Sequence, residues 1–166
     1  PVYKNGDGTT YKTGEIPPTV NVTANGYRLP REKEWEWAAR GGLSSGNYTY
    51  SGSNTISAVG WTYENSSDGT KAVGTKAANE LGIYDMSGNV YEWCWDVYDQ
   101  SWVPSEYSRR SRGGDWKSTA FYSAVVGHNS DGGYVNGGPT DYKGIIGFRV
   151  ARNAEVFDRT ILITPG

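Results

Sequence analysis

The chain has 166 residues, a formal net charge of −2, one cysteine and one histidine. That length and the lack of internal repeats suit a single domain over residues 1–166. The near-neutral balance, with a densest basic patch of only Arg109, Arg110 and Arg112, argues against a nucleic-acid-binding face. Cys94 alone makes neither an internal disulfide nor a multi-cysteine metal site, and no apolar stretch reaches membrane-span length.

Leu, Ile, Val and Phe supply only 27 residues, a fraction that would suit disorder were there not 7 Trp and 13 Tyr to bury in their place. The 23 glycines point to turns and ordered loops. The composition therefore predicts a loop-rich fold around a Trp/Tyr core. The chain starts at Pro1 rather than Met and shows no signal peptide, as a processed piece of a longer protein would.

In chain order, NGDG at 5–8 between Tyr3 and Tyr11 reads as a short hairpin or loop, and the alternation over Thr19–Thr23 as a strand. RLPREKEWEWAARGG at 28–42 is the clearest helix. Pro30 suits its first turn, Glu32 and Glu34 its positive end, and Gly41 a left-handed stop. Trp35, Ala38 and Ala39 share one face and predict core packing. Residues 42–78 read as Gly/Ser/Asn/Thr-rich loops with short strands, of the kind that carry function on a rigid scaffold. Residues 144–152 read as a buried strand, and Thr160–Thr164 as a last one.

Four segments resemble the formylglycine-generating-enzyme and sulfatase-modifying-factor family: RLPREKEWEWAARGG at 28–42, LGIYDMSGNVYEWCWD at 81–96, RGGDW at 112–116 and GFRVAR at 147–152. The resemblance spans 28–152 and implies an α+β fold of the C-type-lectin-like kind, loop-rich, with a central antiparallel sheet. A strand and helix that precede this region in the family lack counterparts here, and 153–166 has no family role.

The catalytic members hold copper with two cysteines after the Gly-Gly turn. Counted from Gly113 and Gly114, those positions are Ser118 and Ser123. Soft copper wants thiolates, so serines are no substitute and no copper is expected. Cys94, between Trp93 and Trp95, reads as a small buried hydrophobe. A related branch uses a histidine cluster for iron-dependent sulfur chemistry, and this chain has only His128. No nucleophile-elbow spacing supports a Ser/His/Asp triad.

Asp85 to Glu92 is the candidate metal site. Calcium takes six to eight oxygens, and a turn at Gly88 can aim carbonyls inward while the two carboxylates close from either side. By the resemblance, Asp85 and Glu92 would give side-chain oxygens, and Gly88 and Val90 main-chain ones, to a structural Ca2+. The alternative is a turn in which Asp85 caps and Glu92 pairs with an arginine. Val59 stands where a second family site expects an amide.

Residues 118–142 contain no Lys, Gln, Glu, Met or Trp. Those types number 25 in the other 141 positions, so about four would fall in a window of this length. Tyr, Ser, Gly and Asn, which are plentiful here, are the residues of binding loops. Randomising the adenines of AAC or AAT codons can never produce the five missing types. The segment thus resembles the variable proteins diversified by retroelements, several of which use this scaffold with variation just before Gly-Phe-Arg-Val. Phe121, Tyr122, His128, Asn129, Asp131, Tyr134, Asn136, Asp141 and Tyr142 would make ligand contacts, with Trp116, Gly113, Gly147 and Phe148 holding the scaffold. The expectation is a non-enzymatic domain with a hypervariable surface around residues 115–143, binding a protein or surface ligand and displayed on a cell or virion. The alternative is a catalytic relative with altered chemistry, and a third reading is a purely structural subunit.

Overall fold

The computed structural model describes residues 2–12, 18–21, 23–97, 109–127 and 144–153. The chain divides into two compact units, one of Pro1–Arg28 with the chain from Ala151, the other of Leu29–Val150. The second nearly coincides with the family-like stretch at 28–152.

In the first unit, β1 (Tyr3–Lys4) pairs antiparallel with β2 (Thr19–Val20). The hairpin read from NGDG is present: Gly8 N–H donates to the Asn5 carbonyl at 2.9 Å and Tyr11 N–H to the Tyr3 carbonyl at 3.1 Å. The strand over Thr19–Thr23 is shorter than the alternation suggests. Asn21 turns the chain out of it by accepting the Thr23 N–H on its own side chain at 3.1 Å. Arg28 and Ala151 exchange both main-chain hydrogen bonds.

In the second unit, α1 is Glu32–Ala39. Its start is set by Glu34, whose carboxylate reaches back to the Arg31 N–H at 2.8 Å. Pro30 lies before the helix rather than in its first turn, because its carbonyl is taken by the Trp95 N–H at 2.8 Å. Gly41 closes the helix at φ +87° as expected. Trp35 and Ala39 are buried, and Trp37 on the other face is exposed. A 3-10 turn at Gly42–Ser44 and the short α2 (Ile56–Val59) follow.

The central sheet has order β4-β3-β5. Here β3 (Tyr91–Val97) pairs antiparallel with β4 (Arg109–Arg112), in the register Glu92 to Arg112, and parallel with β5 (Ile146–Gly147). The sheet is therefore mixed, not purely antiparallel. The buried strand expected over 144–152 is also corrected. Only two residues pair, at the sheet edge, and Phe148 and Val150 are exposed, so Phe148 is not a scaffold residue. The strand expected at Thr160–Thr164 lies outside the described residues.

The core cluster is Trp35, Ala39, Met86, Cys94 and Val125. Trp35 and Tyr91 are buried, but Tyr27, Tyr63 and Tyr84 are exposed, so the core is less aromatic than the composition suggests. Polar side chains fill the interior instead. Asn79 Nδ2 donates to the Ala38 carbonyl at 2.7 Å and to Ser51 Oγ at 3.0 Å, and Ser51 N–H donates to Ser87 Oγ at 3.1 Å. Each such group is tolerable inside because it is paired. Gly88, at φ +81°, has the Trp61 main chain against it where a Cβ would stand.

Candidate functional site

Residues 116–127 leave β4 through the Gly113-Gly114 turn and include a 3-10 turn at Ala120–Ser123. The scaffold grips this segment by its main chain. Ser66 Oγ donates to the Trp116 carbonyl at 2.9 Å, and Tyr63 N–H to the Ser118 carbonyl at 2.9 Å. Ser87 Oγ donates to the Ser123 carbonyl at 2.8 Å. Ala120 N–H reaches Glu64 at 3.2 Å, and Val125 N–H the Thr49 carbonyl at 2.9 Å. The buried Arg112 guanidinium donates to the carbonyls of Val125, at 2.9 Å, and of Gly127, while a 2.8 Å pair with Glu36 neutralises it. Trp35 stacks against it at 5.3 Å. In sequence Arg112 is counted in the densest basic patch, whereas in the fold only 1% of it is exposed. The available signal was the acidic i, i+4 pair Glu32 and Glu36 on the helix that packs against β4.

Within the segment, side chains divide cleanly. Ser123 and Val125 point inward and are buried. Ser118 Oγ meets Asp115 Oδ1 at 2.5 Å and the Tyr91 hydroxyl at 3.1 Å. Burial raises the Tyr91 pKa, and the Ser118 hydrogen bond opposes that shift. Thr119, Phe121 and Val126 point to solvent. Of the predicted contact residues, Phe121 is 75% exposed and packs edge-on against the half-buried Tyr122 at 5.4 Å. His128, Asn129, Asp131, Tyr134, Asn136, Asp141 and Tyr142 lie outside the described residues.

The turn from Asp85 to Glu92 walls one side of a cleft of about 560 Å³ that Tyr84, Phe148 and Arg149 also line. Asp85 Oδ2 accepts the Gly74 N–H at 2.7 Å, whereas Asp85 Oδ1 is buried without a partner. The Gly88 carbonyl accepts the Val90 N–H at 3.0 Å. Both Glu92 oxygens accept from Arg149 at 2.5 Å, and Oε2 also from Trp35 Nε1 at 2.6 Å. Of the two predicted carboxylates, the spare oxygen is Asp85 Oδ1, a hard ligand of the kind calcium takes. Glu92 reaches a cation only by sharing its charge with Arg149.

The sequence matches the Sulfatase-modifying factor enzyme 1-like domain over residues 5–154. The chain belongs to that family. It is 48% identical over 118 residues to the Chaperone protein LppX of Paenibacillus barcinonensis, covering 61% of this chain and 42% of the relative. It is 34% identical over 124 residues to the Formylglycine-generating enzyme of Thermomonospora curvata, covering 61% and 40%. The chain thus spans less than half the length of these curated relatives. Among solved structures, Treponema denticola variable protein 1 superposes with a TM-score of 0.73 at 30% identity, over 92% of this chain and 62% of that one. The loop-rich α+β fold expected from the resemblance is the observed one.

Relatives in this family carry names as different as enzyme, chaperone and variable protein, so membership alone assigns no activity. Residue chemistry narrows the choice. Ser118 and Ser123, at the positions that the resemblance matches to the copper thiolates, carry hydroxyls: that of Ser118 is bonded to Asp115, and that of Ser123 is buried without a partner. Cys94 sits on β3, fully buried, and burial pushes its thiol up to about 12. A thiol so placed is neither a nucleophile nor a metal ligand at neutral pH. Native protein should leave a thiol-disulfide reagent unconsumed at neutral pH and react with one equivalent once unfolded, and fast reaction of the native protein would contradict this burial. Because the folded pKa lies above the unfolded 9.0, the unfolded state loses its proton first. Any stability advantage of the parent over Cys94→Ala is then fully present below about pH 9 and declines towards pH 12. Chemical denaturation of both proteins across that range measures the gap.

Proposed function

We propose that this domain is a non-enzymatic ligand-binding module. Residues around 115–143 form its recognition surface, diversified as in retroelement-driven variable proteins and displayed on a cell or virion surface. The observation that carries the reading is the grip on 116–127 by main-chain atoms, which leaves the outward side chains free to change. Surface loops with small polar and aromatic side chains on a rigid frame suit recognition. The likeness to a protein named for its variability supports the same reading. Among the described residues no helix is long and apolar enough to cross a membrane.

Free side chains predict tolerance. Phe121→Ala and Val126→Ser should each change stability by no more than about 0.5 kcal/mol, measured by urea denaturation. A library randomised at Thr119, Phe121, Tyr122 and Val126 should remain mostly folded, while different members enrich on different immobilised proteins. Unfolding of most members would end the proposal. Titration with Cu(I) or Fe(II) and a thiol-peptide oxidation screen should give no turnover, whereas turnover would favour the catalytic alternative.

We also propose that Asp85, Gly88, Val90 and Glu92 hold a structural calcium ion, supported by the unpartnered Asp85 Oδ1. An ion there would brace the turn that feeds β3, and the thermal test of this is joined to that of Glu92 below.

A further inference from the structure

Beside the anchored segment lies a second cleft, of about 520 Å³, lined by Tyr63, Ser66, Ser67, Asp68, Trp116 and Lys117. Tyr63, Ser66, Ser67 and Asp68 lie well outside the hypervariable stretch around 115–143, and Trp116 at its edge is read as a scaffold residue, so this cleft is built mainly on the fixed scaffold. Tyr63 N–H ties it to the recognition segment through the Ser118 carbonyl, and Ser66 Oγ closes it internally on the Trp116 carbonyl. Tyr63 is 73% exposed, and Trp116 is half-buried. The backbone holds Ser67 and Asp68 at φ +48° and +65°, a strained pair in a region that non-glycine residues rarely adopt. Residues kept in that conformation at a cleft are a recognised mark of function.

The polar groups here have a particular chemistry. The Tyr63 hydroxyl, the Ser67 hydroxyl, the Asp68 carboxylate and the Trp116 indole N–H have no hydrogen-bond partner among the described residues. Lys117 Nζ rests over the Trp116 ring at 4.8 Å, with its donors otherwise free. One carboxylate and one ammonium leave the cleft neutral in sum. It therefore offers two aromatic rings, several donors and a strong acceptor, with no net charge to attract an ion. A ligand that satisfies all of this is uncharged, has an apolar face to lay on a ring, and carries hydroxyls that both donate and accept. The volume falls in the range of small-molecule sites, which bury apolar surface and orient it with a few polar groups.

We infer that this cleft is a fixed saccharide subsite, binding a neutral hexose unit of a surface glycan next to the changeable side chains of 118–142. The inference rests on the binding-module reading above and deepens it. The changeable side chains choose the partner, and the cleft adds a contact common to every version of the surface. The contacts proposed here are direct ones, since a single carboxylate beside an ammonium falls short of the six to eight oxygens calcium takes.

The test is a titration of the domain with neutral mono- and disaccharides (glucose, galactose, mannose, N-acetylglucosamine, maltose and cellobiose), read by tryptophan fluorescence and saturation-transfer NMR. At least one sugar should bind saturably with a millimolar Kd, equally with calcium and with chelator. Tyr63→Ala and Asp68→Asn should each weaken it about tenfold or more, with thermal stability unchanged as a check on folding. Leu43→Ala, at an exposed residue outside both clefts and the recognition segment, should leave sugar binding intact. Absence of saturable binding by every sugar, or undiminished binding by both variants, would overturn the inference. Loss of binding with chelator would overturn it as well, by assigning the sugar to a metal. None of these outcomes touches the randomised-segment library, so the saccharide reading can fail while the binding-module reading stands.

Discussion

Arg112→Met should destabilise the domain by about 3 kcal/mol or more, the largest effect expected of any single substitution on the segment's supports. The arginine is 1% exposed and serves three clients at once: Glu36 on α1 and the carbonyls of Val125 and Gly127. Methionine fills much of the same volume but leaves those two carbonyls without a donor and Glu36 without its cation. Unpaired buried acceptors cost on the order of 1–3 kcal/mol each. For a chain of this size the fall in Tm is roughly 6–12 °C, at a few degrees per kcal/mol. Arg112→Lys keeps the charge but not the planar fork that reaches several acceptors, so it should lie between parent and methionine. Beyond stability, hydrogen exchange at Val125 and Gly127 should accelerate in both variants, since the clamp that orders them is gone. A methionine variant with parental Tm would show that the segment is not held from below.

Glu92→Ala is the second large effect, again about 3 kcal/mol or more. Glu92 is buried between Arg149, which would lose its carboxylate and keep only the Tyr84 and Asp85 carbonyls, and the Trp35 indole, which would lose its acceptor. Removing Arg149 as well should recover part of the loss, so the double variant should be more stable than the sum of the singles implies. The same variant tests the proposed calcium. Parent protein should melt higher with calcium than with chelator, and Glu92→Ala should abolish that difference. If the parent melts identically in both, the calcium proposal falls. The Arg149 guanidinium then supplies by itself the positive charge that Glu92 requires.

Much of this fold was legible in the sequence because local patterns and tertiary demands agreed. Trp35, Ala38 and Ala39 marked the packed face of α1, and Gly41 its left-handed stop. Cys94 between tryptophans was readable as a core residue. The misreadings share a cause. Pro30 looked like a helix-start residue until β3 claimed its carbonyl, and Phe148 like a core strand residue although its strand pairs over only two positions. Such outcomes depend on partners distant in sequence, which neither propensity nor alternation encodes. The aromatic count likewise overstated the core, because paired serines and asparagines took interior volume that composition assigns to tyrosine. Arg112 was the most consequential miss: in sequence it is one of three neighbouring arginines, and only the register opposite Glu92 sends it inward. Of the candidate surface, Phe121 and Tyr122 were proposed from composition, and the structure places Phe121 in solvent with Tyr122 half-buried beside it. The fixed cleft at Tyr63 and Trp116 was not, since its members lie some fifty residues apart.

On the proposed function, the outward positions of residues 115–143 change while their supports do not. Deep sequencing of the encoding gene across a population, with its flanking DNA, tests this most directly. The account predicts substitutions concentrated in that segment, at adenines of a nearby template repeat, sparing the inward Ser123 and Val125 as well as Arg112, Asp115 and Glu92. An invariant segment with no template repeat would contradict diversification and leave a fixed binder or a degenerate enzyme.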